Sequence, residues 1–305
     1  MLQILVNALA LGSAYALLAI GFVLVLNATS AVNFTQGDMV MAGGYIAVAA
    51  ASVMPVPGIA LLPIVMALML VLGLAFSVLA YFPLMSRPPV SVFISTIALG
   101  IVFQNTANAI FGAAPRAAPP MFGGGTLQFG GVTIGAQAAA VIGVAACLIA
   151  AQWWLFARTP LGLRLRATAQ DRQMAEAMGI RVNVMIAATF ALAAALAGAA
   201  GLLLANTFFV SPTDGTNYII KAYIAVTIGG WGSLAGAVLG AMLIALFEVI
   251  YPSIPSLVPW LDGASPLVAE AFSQTTATIL LYAVLLVILL VRPQGLFGEK
   301  VQRRA

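Results

Sequence analysis

"RTPLGLRLRATAQDRQMAEAMGIRV", residues 158–182, holds seven of the twenty acidic and basic side chains in a chain of 305 residues. Before it, 117–157 carries no charge at all; after it, neither does 182–213. Three further runs are equally bare: 39–86, 88–115 and 271–291. A helix crossing a bilayer needs about 20 mostly apolar residues, so each run has room for one or two crossings. The whole chain is 63% hydrophobic and 7% charged, against about 25% charged in a soluble domain. Charge confined to an island between such runs predicts an all-α, polytopic transmembrane helical bundle, with 158–182 outside the hydrocarbon.

Working outward from the island, turn signals divide the apolar runs. "PVPG" at 55–58 splits one long run and "SRPP" at 86–89 the next. About eight spans result, at 2–26, 39–53, 59–82, 90–111, 132–156, 184–205, a broken 218–229 plus 234–250, and 272–291. They form one transmembrane domain over 1–305, with 157–183 as a loop within it. The Pro/Gly-rich stretches 111–125 and 251–266 read as exposed loops, with Trp260 at a headgroup interface. The first charge is Asp38; a cleavable signal peptide begins with basic residues, so 2–26 is expected to stay as the first span.

Basic residues in short loops mark the cytoplasmic side. The island carries Arg158, Arg164, Arg166, Arg172 and Arg181; the tail carries Arg292, Lys300, Arg303 and Arg304; Arg87 lies in the 83–89 turn. These on the inside place the N-terminus outside and the C-terminus in the cytoplasm, in an inner-membrane protein. The formal net charge of +4 is then an orientation signal rather than a sign of nucleic-acid binding. The chain has no histidine, which excludes histidine-based catalysis and most zinc sites; no metal and no cofactor is expected. Cys147, inside an apolar run, reads as a buried bystander.

Two places break the helical pattern at depth: "NATSAVNFTQGD" at 27–38, and the region from "NTFFVSPTDGTNY" (206–218) to "GGWGS" (229–233). Interrupted apolar segments in both halves of a chain point to a transport site; tight turns whose glycines permit close packing are the plainer alternative. Asn33 and Gln36 offer donors and acceptors to a pathway. Asp38 suits a pathway or, better, a cap on a helix starting at Met39. An ionised side chain at the bilayer centre costs about 2.5–3.5 kcal/mol, so Lys221 and Glu248 are placed near the outer interface, Lys221 snorkelling or meeting a substrate carboxylate. Gly229 and Gly230 line the pathway or form a tight turn with Gly232.

The island reads as one short amphipathic helix from Arg164 onward. Leu165, Ala169, Ala175 and Met178 lean to one face, Arg166, Asp171, Arg172 and Glu176 to others, and Gly179 ends the helix. Orientation needs basic residues alone; acidic residues among them suit a socket for another protein. The chain contains no G-x-x-x-x-G-K-[ST] loop, so ATP-driven movement would require a separate nucleotide-binding subunit.

Several stretches resemble the membrane permeases of branched-chain amino acid ABC importers, in particular their LivH-type branch. They are "ALGSAYALLAIGFVLV" (10–25), "VNFTQGDMVMAGGYIA" (32–47), "RATAQDRQMAEAMGIRVNVMIAATFALAAALAGAAGLL" (166–203), "KAYIAVTIGGWGSLAGAVLGAMLIALFE" (221–248) and "VRPQGLFG" (291–298). Gln36 stands where that family often has histidine, and Glu176-Ala177-Met178-Gly179 is a shortened form of the importers' coupling signature. The resemblance implies a non-catalytic permease subunit for branched-chain or related small amino acids. It also implies two ATP-binding cassette subunits, a second homologous permease and a periplasmic solute-binding protein. Arg164, Arg166, Asp171, Arg172, Glu176 and Gly179 would form the ATPase-docking surface. Relatives for urea, amides or aromatic acids are an alternative. An ion-coupled secondary transporter using Asp38 and Glu248 is a second class, and an intramembrane enzyme has little acid–base material to work with.

Overall fold

The computed structural model describes residues 2–54, 56–122, 125–129, 132–258 and 266–291. In chain order the helices are α1 (Leu2–Thr29), α2 (Gln36–Val53), α3 (Gly58–Phe76), α4 (Pro89–Phe111), α5 (Ala136–Arg158), α6 (Pro160–Gln170) and α7 (Arg172–Ala177). There follow α8 (Val182–Ala205), α9 (Asp214–Gly229), α10 (Leu234–Leu257), α11 (Pro266–Ala271) and α12 (Gln274–Val291). A π-helical turn, Ser77–Tyr81, and a 3-10 turn, Phe82–Leu84, prolong α3. A small antiparallel hairpin pairs β1 (Thr126–Phe129) with β2 (Val132–Gly135). Fourteen C-terminal residues, 292–305, and the loop holding Trp260 and Asp262 lie outside the described residues.

The core follows from residue size and polarity. α1 and α8 carry no charge and are apolar or small all round, the pattern of a helix buried on every side, and most of both is buried. α10 packs along α1, while α2 and α3 pack along α8. Among apolar surfaces, helix association rests on close packing through small residues. Gly43 meets Gly198 backbone to backbone, Gly201 lies against the Val40 carbonyl, and Gly229 and Gly236 press together between α9 and α10. α4, α5 and α12 lie at the periphery with outward apolar side chains such as Ile101, Trp153 and Leu290.

Among the described residues seven helices are long and apolar enough to cross a membrane, so the polytopic helical bundle stands. α2 and α9, of 18 and 16 residues, start where the sequence is broken. Several boundaries move. α1 extends to Thr29 and α2 starts three residues earlier than expected, at Gln36. The fifth span starts at Ala136, because 132–135 is a strand. α10 continues beyond 250 through Pro252 and Pro255, so the expected 251–266 loop begins only after Leu257.

The 111–125 stretch is not simply exposed. Arg116 and Val210 exchange backbone bonds (3.0 and 2.7 Å), the Ala118 amide donates to Ala205, and the Gly58 amide donates to Pro120. Within this strap Ala118 and Met121 are buried. Backbone pairing across ninety positions leaves no trace in local composition. Cys147 likewise departs from expectation: it is exposed, because α5 turns much of its surface outward.

Candidate functional site

The first break is a climb back into the bundle. α1 ends at Thr29, Ser30 adopts a positive φ of 55°, and the chain returns beside α1 before α2 begins. Its polar groups are satisfied internally, as irregular backbone at depth requires. The Ala31 amide donates to Thr29 Oγ1 and the Thr35 amide to Asn33 Oδ1. Asn33 Nδ2 donates to Gln36 Oε1 (3.3 Å), and Gln36 Nε2 to the Ala193 carbonyl in the middle of α8 (3.1 Å). The Phe34 amide and the Thr35 hydroxyl both bond Thr96 of α4. Asn33 and Gln36 therefore staple the climb to α8, and both are buried.

Asp38 was expected to cap α2. Instead it lies inside the first turn, and the N-cap residue, Thr35, makes no side-chain cap bond. The Asp38 carboxylate reaches sideways, accepting from Gln104 Nε2 of α4 at 2.8 Å. That amide also donates to Thr216 Oγ1 of α9 (3.3 Å). Two glycines make room: a Cβ at Gly100 or Gly215 would collide with the carboxylate, and a Cβ at Gly37 with the Gly215 carbonyl. The starts of α2 and α9 thus converge on one carboxylate. Helix N-termini carry partial positive charge, worth typically 0.3–1 kcal/mol each to a nearby anion, which offsets the cost of holding Asp38 at 5% exposure.

Lys221 and Glu248 do not snorkel. They form the one salt bridge found among the described residues, at 2.6 Å, with side-chain exposures of 13% and 7%. Lys221 Nζ also donates to the Tyr15 hydroxyl (2.7 Å), which donates to Glu248 Oε2 (3.1 Å). Gln274 Nε2 donates to Glu248 Oε1 (2.9 Å). The cluster joins α1, α9, α10 and α12. Burial of each charge depends on the other, a relation that two residues 27 positions apart cannot announce.

The second break ends in a tight turn. Gly230 and Gly232 have positive φ values of 100° and 85°, which suits glycine, and Ser233 caps α10 by accepting from the Gly236 amide. Asn27 Nδ2 of α1 donates to the Gly232 carbonyl at 3.0 Å. Gly229 is occupied by its contact with Gly236. Of the residues named as pathway candidates, the structure gathers Asn33, Gln36 and Asp38; Lys221 sits in the ion-pair cluster, and Gly229 and Gly230 at the α9–α10 turn.

The charged island folds as two helices rather than one. Asp171 interrupts them with extended φ/ψ of −154° and 110°, and its Oδ1 accepts from the Met174 amide (3.0 Å). Such an N-cap satisfies a donor that no helical carbonyl can reach. Thr159 caps α6 in the same way through Gly162. Gly179, at φ 80°, ends α7. Leu165 and Ala175 turn inward as expected, but Ala169, in the last turn of α6, and Met178, at the C-cap of α7, are exposed, because the break at Asp171 ends the single apolar stripe.

Arg172 also turns inward, donating through Nη2 to the Ala28 carbonyl in the last turn of α1 at 2.6 Å. Cations are favourable at helix C-termini. Arg164, Arg166 and Glu176 remain exposed beside Met174 and Met178. Behind α6 lies a cavity of about 680 Å³, lined by residues that include Asn27, Trp153, Arg166 and Thr189. The end of α1 thereby touches both the charged island and the second break: Ala28 is held by Arg172, and Asn27 holds Gly232.

Sequence reasoning missed Gln104, Thr216, Tyr15 and Gln274. "QNTAN" at 104–108 was a visible signal, being a run of amides inside an apolar span.

The model of the family described as branched-chain amino acid transport system / permease component matches residues 4–290. The permease protein BraD of the high-affinity branched-chain amino acid transport system of Pseudomonas aeruginosa is 30% identical, over 98% of this chain and 96% of its own length. LivH of the corresponding Escherichia coli K12 system is 28% identical over the same shares. A probable branched-chain amino acid transport permease of Methanocaldococcus jannaschii is 27% identical over 81% of this chain and 79% of its own. No solved structure matches. A match spanning both breaks, the charged island and seven membrane-length helices leads to one conclusion: the chain belongs to the branched-chain amino acid transport system permease family.

Proposed function

We propose that this chain is the membrane-spanning subunit of an ATP-driven ABC importer for branched-chain or related small amino acids, acting as a single transmembrane domain. It works without catalysing hydrolysis itself, beside two ATP-binding cassette subunits, a second homologous permease and a periplasmic solute-binding protein. The arginine-rich end faces the cytoplasm of a cell whose inner membrane it spans, in line with the bias of basic residues; the N-terminus lies outside and the C-terminus inside.

The observation that carries the reading is the Arg172–Ala28 bond. The exposed side of α7, with Glu176, Met174 and Met178, receives the ATPases, together with Arg164 and Arg166 of α6. Asp171 and Gly179 fix the two ends of α7 and so present that side. Arg172 passes the movement to the end of α1, from which the climb to α2 and the α9–α10 turn both hang. A hydrogen bond to a charged group contributes about 1.5–3 kcal/mol, enough to carry a two-state bias between access states.

The test is reconstitution with the partner subunits. Glu176→Arg with Met178→Asp should reduce ATPase co-purification severalfold. Arg172→Gln should leave co-purification intact and lower uptake per ATP hydrolysed at least fivefold. ATP-independent uptake by the purified chain alone would overturn the reading in favour of a secondary transporter.

A further inference from the structure

The C-terminal half of α4 carries a run of polar side chains. Gln104 is half-buried against Asp38, while Asn105, Thr106 and Asn108 are exposed. On α9, Thr216 and Asn217 are exposed beside it. Amides at membrane depth face a bundle interior or a water-filled cavity, not lipid. α4 packs on α2 and on the π-helical turn that extends α3, and it carries outward apolar side chains, Ile94, Ile101 and Val102, besides the polar ones.

On the inner side of this run, Gln104 Nε2 sits 2.8 Å from the Asp38 carboxylate and 3.3 Å from the Thr216 hydroxyl. A nitrogen donor bridging a carboxylate and a hydroxyl occupies the place of an ammonium group. An ammonium there would make a charge-assisted bond, about twice as strong as a neutral one. It would also find a carboxylate flanked by glycines 100 and 215 and, among the described residues, in no salt bridge: Lys221 is paired with Glu248.

We propose that Asp38, Gln104, Asn108 and Thr216 form a solute-facing niche that receives the primary ammonium group of the translocated molecule. Gln104 is a resident stand-in that the ammonium displaces. The niche supplies what the apolar remainder of the bundle lacks, a compensating charge for an amino acid crossing between its two sides. The assignment rests on the importer reading for the identity of the solute; the niche itself is measured without any transport.

The experiment uses the full chain with Cys147→Ser, purified with its partner subunits and placed in membrane vesicles. Asn108→Cys is introduced one helical turn, about 5.4 Å, beyond Gln104. Its reaction rate is measured with two methanethiosulfonates, one ending in trimethylammonium and one in sulfonate. Each rate is normalised to that reagent's rate with a free thiol. A carboxylate one helical turn along, in a partly hydrated site, should favour the cationic reagent by about tenfold. Asp38→Asn should bring the ratio close to one, Asp38→Glu should retain it, and Gln104→Ala should raise it further by uncovering the carboxylate.

Failure of both reagents to react would mean that the face is sealed against lipid or a second subunit, and would overturn the niche. A ratio indifferent to Asp38→Asn would overturn the ammonium preference. Equally fast reaction of Ile110→Cys, an outward apolar position of α4 that is 68% exposed, would show a helix bathed on all sides and overturn the assignment as well. None of these results bears on ATPase association, so the niche and the importer reading fail separately.

Discussion

Replacing Lys221 with methionine removes an ammonium held 2.6 Å from Glu248 and 2.7 Å from the Tyr15 hydroxyl. The carboxylate would keep Tyr15 and Gln274 as donors but lose its countercharge at a site where it is only 6% exposed. Breaking a buried pair from one side costs about 3–5 kcal/mol, because the remaining ion is uncompensated. Glu248→Gln, which strands the ammonium, should cost a similar amount. The double change Lys221→Met/Glu248→Leu removes both desolvation penalties and leaves only the Tyr15 and Gln274 donors without an acceptor, at about 1 kcal/mol or more each. It should therefore be less destabilised than either single variant. Unfolding of the purified chain in mixed micelles of increasing dodecyl sulfate content, run as a double-mutant cycle, reads all three values. A Lys221→Met cost below about 1 kcal/mol, typical of exposed pairs, would refute the clamp. So would a double variant as unstable as the sum of the singles.

Gly215→Ala should destabilise by about 1–3 kcal/mol, the usual range for overpacking, since the added carbon strikes Asp38; Gly143→Ala, with nothing within 4 Å, should fall within about 0.5 kcal/mol of the parent in the same unfolding assay. Asp171→Ala removes the cap of α7 and should cost about 1 kcal/mol locally, read as faster amide hydrogen exchange at Met174 with little change in α8. Gly179→Ala forces a side chain into the left-handed region at φ 80°, costing about 1–2 kcal/mol; its thermal midpoint should fall below that of Gly179→Asn, which meets the same backbone with a residue that tolerates it.

The residues alone settle what the surroundings of this chain must be. Uncharged runs between an arginine-rich island and turn signals permit a membrane bundle and little else, because water cannot solvate so much apolar surface. Breaks at 27–38 and 206–233, Gly179 as a stop and the turn at Gly230 and Gly232 are equally readable, since each rests on local backbone chemistry. The partners of polar side chains were decided only in three dimensions. Asp38 turned from an expected cap to Gln104, 66 positions away; Arg172 bonds Ala28, 144 positions back; Lys221 and Glu248 pair with each other, 27 positions apart. In an apolar medium each such group is bound to seek whatever partner lies nearest. Helix packing through glycines, which no local pattern encodes, determines which partner that is.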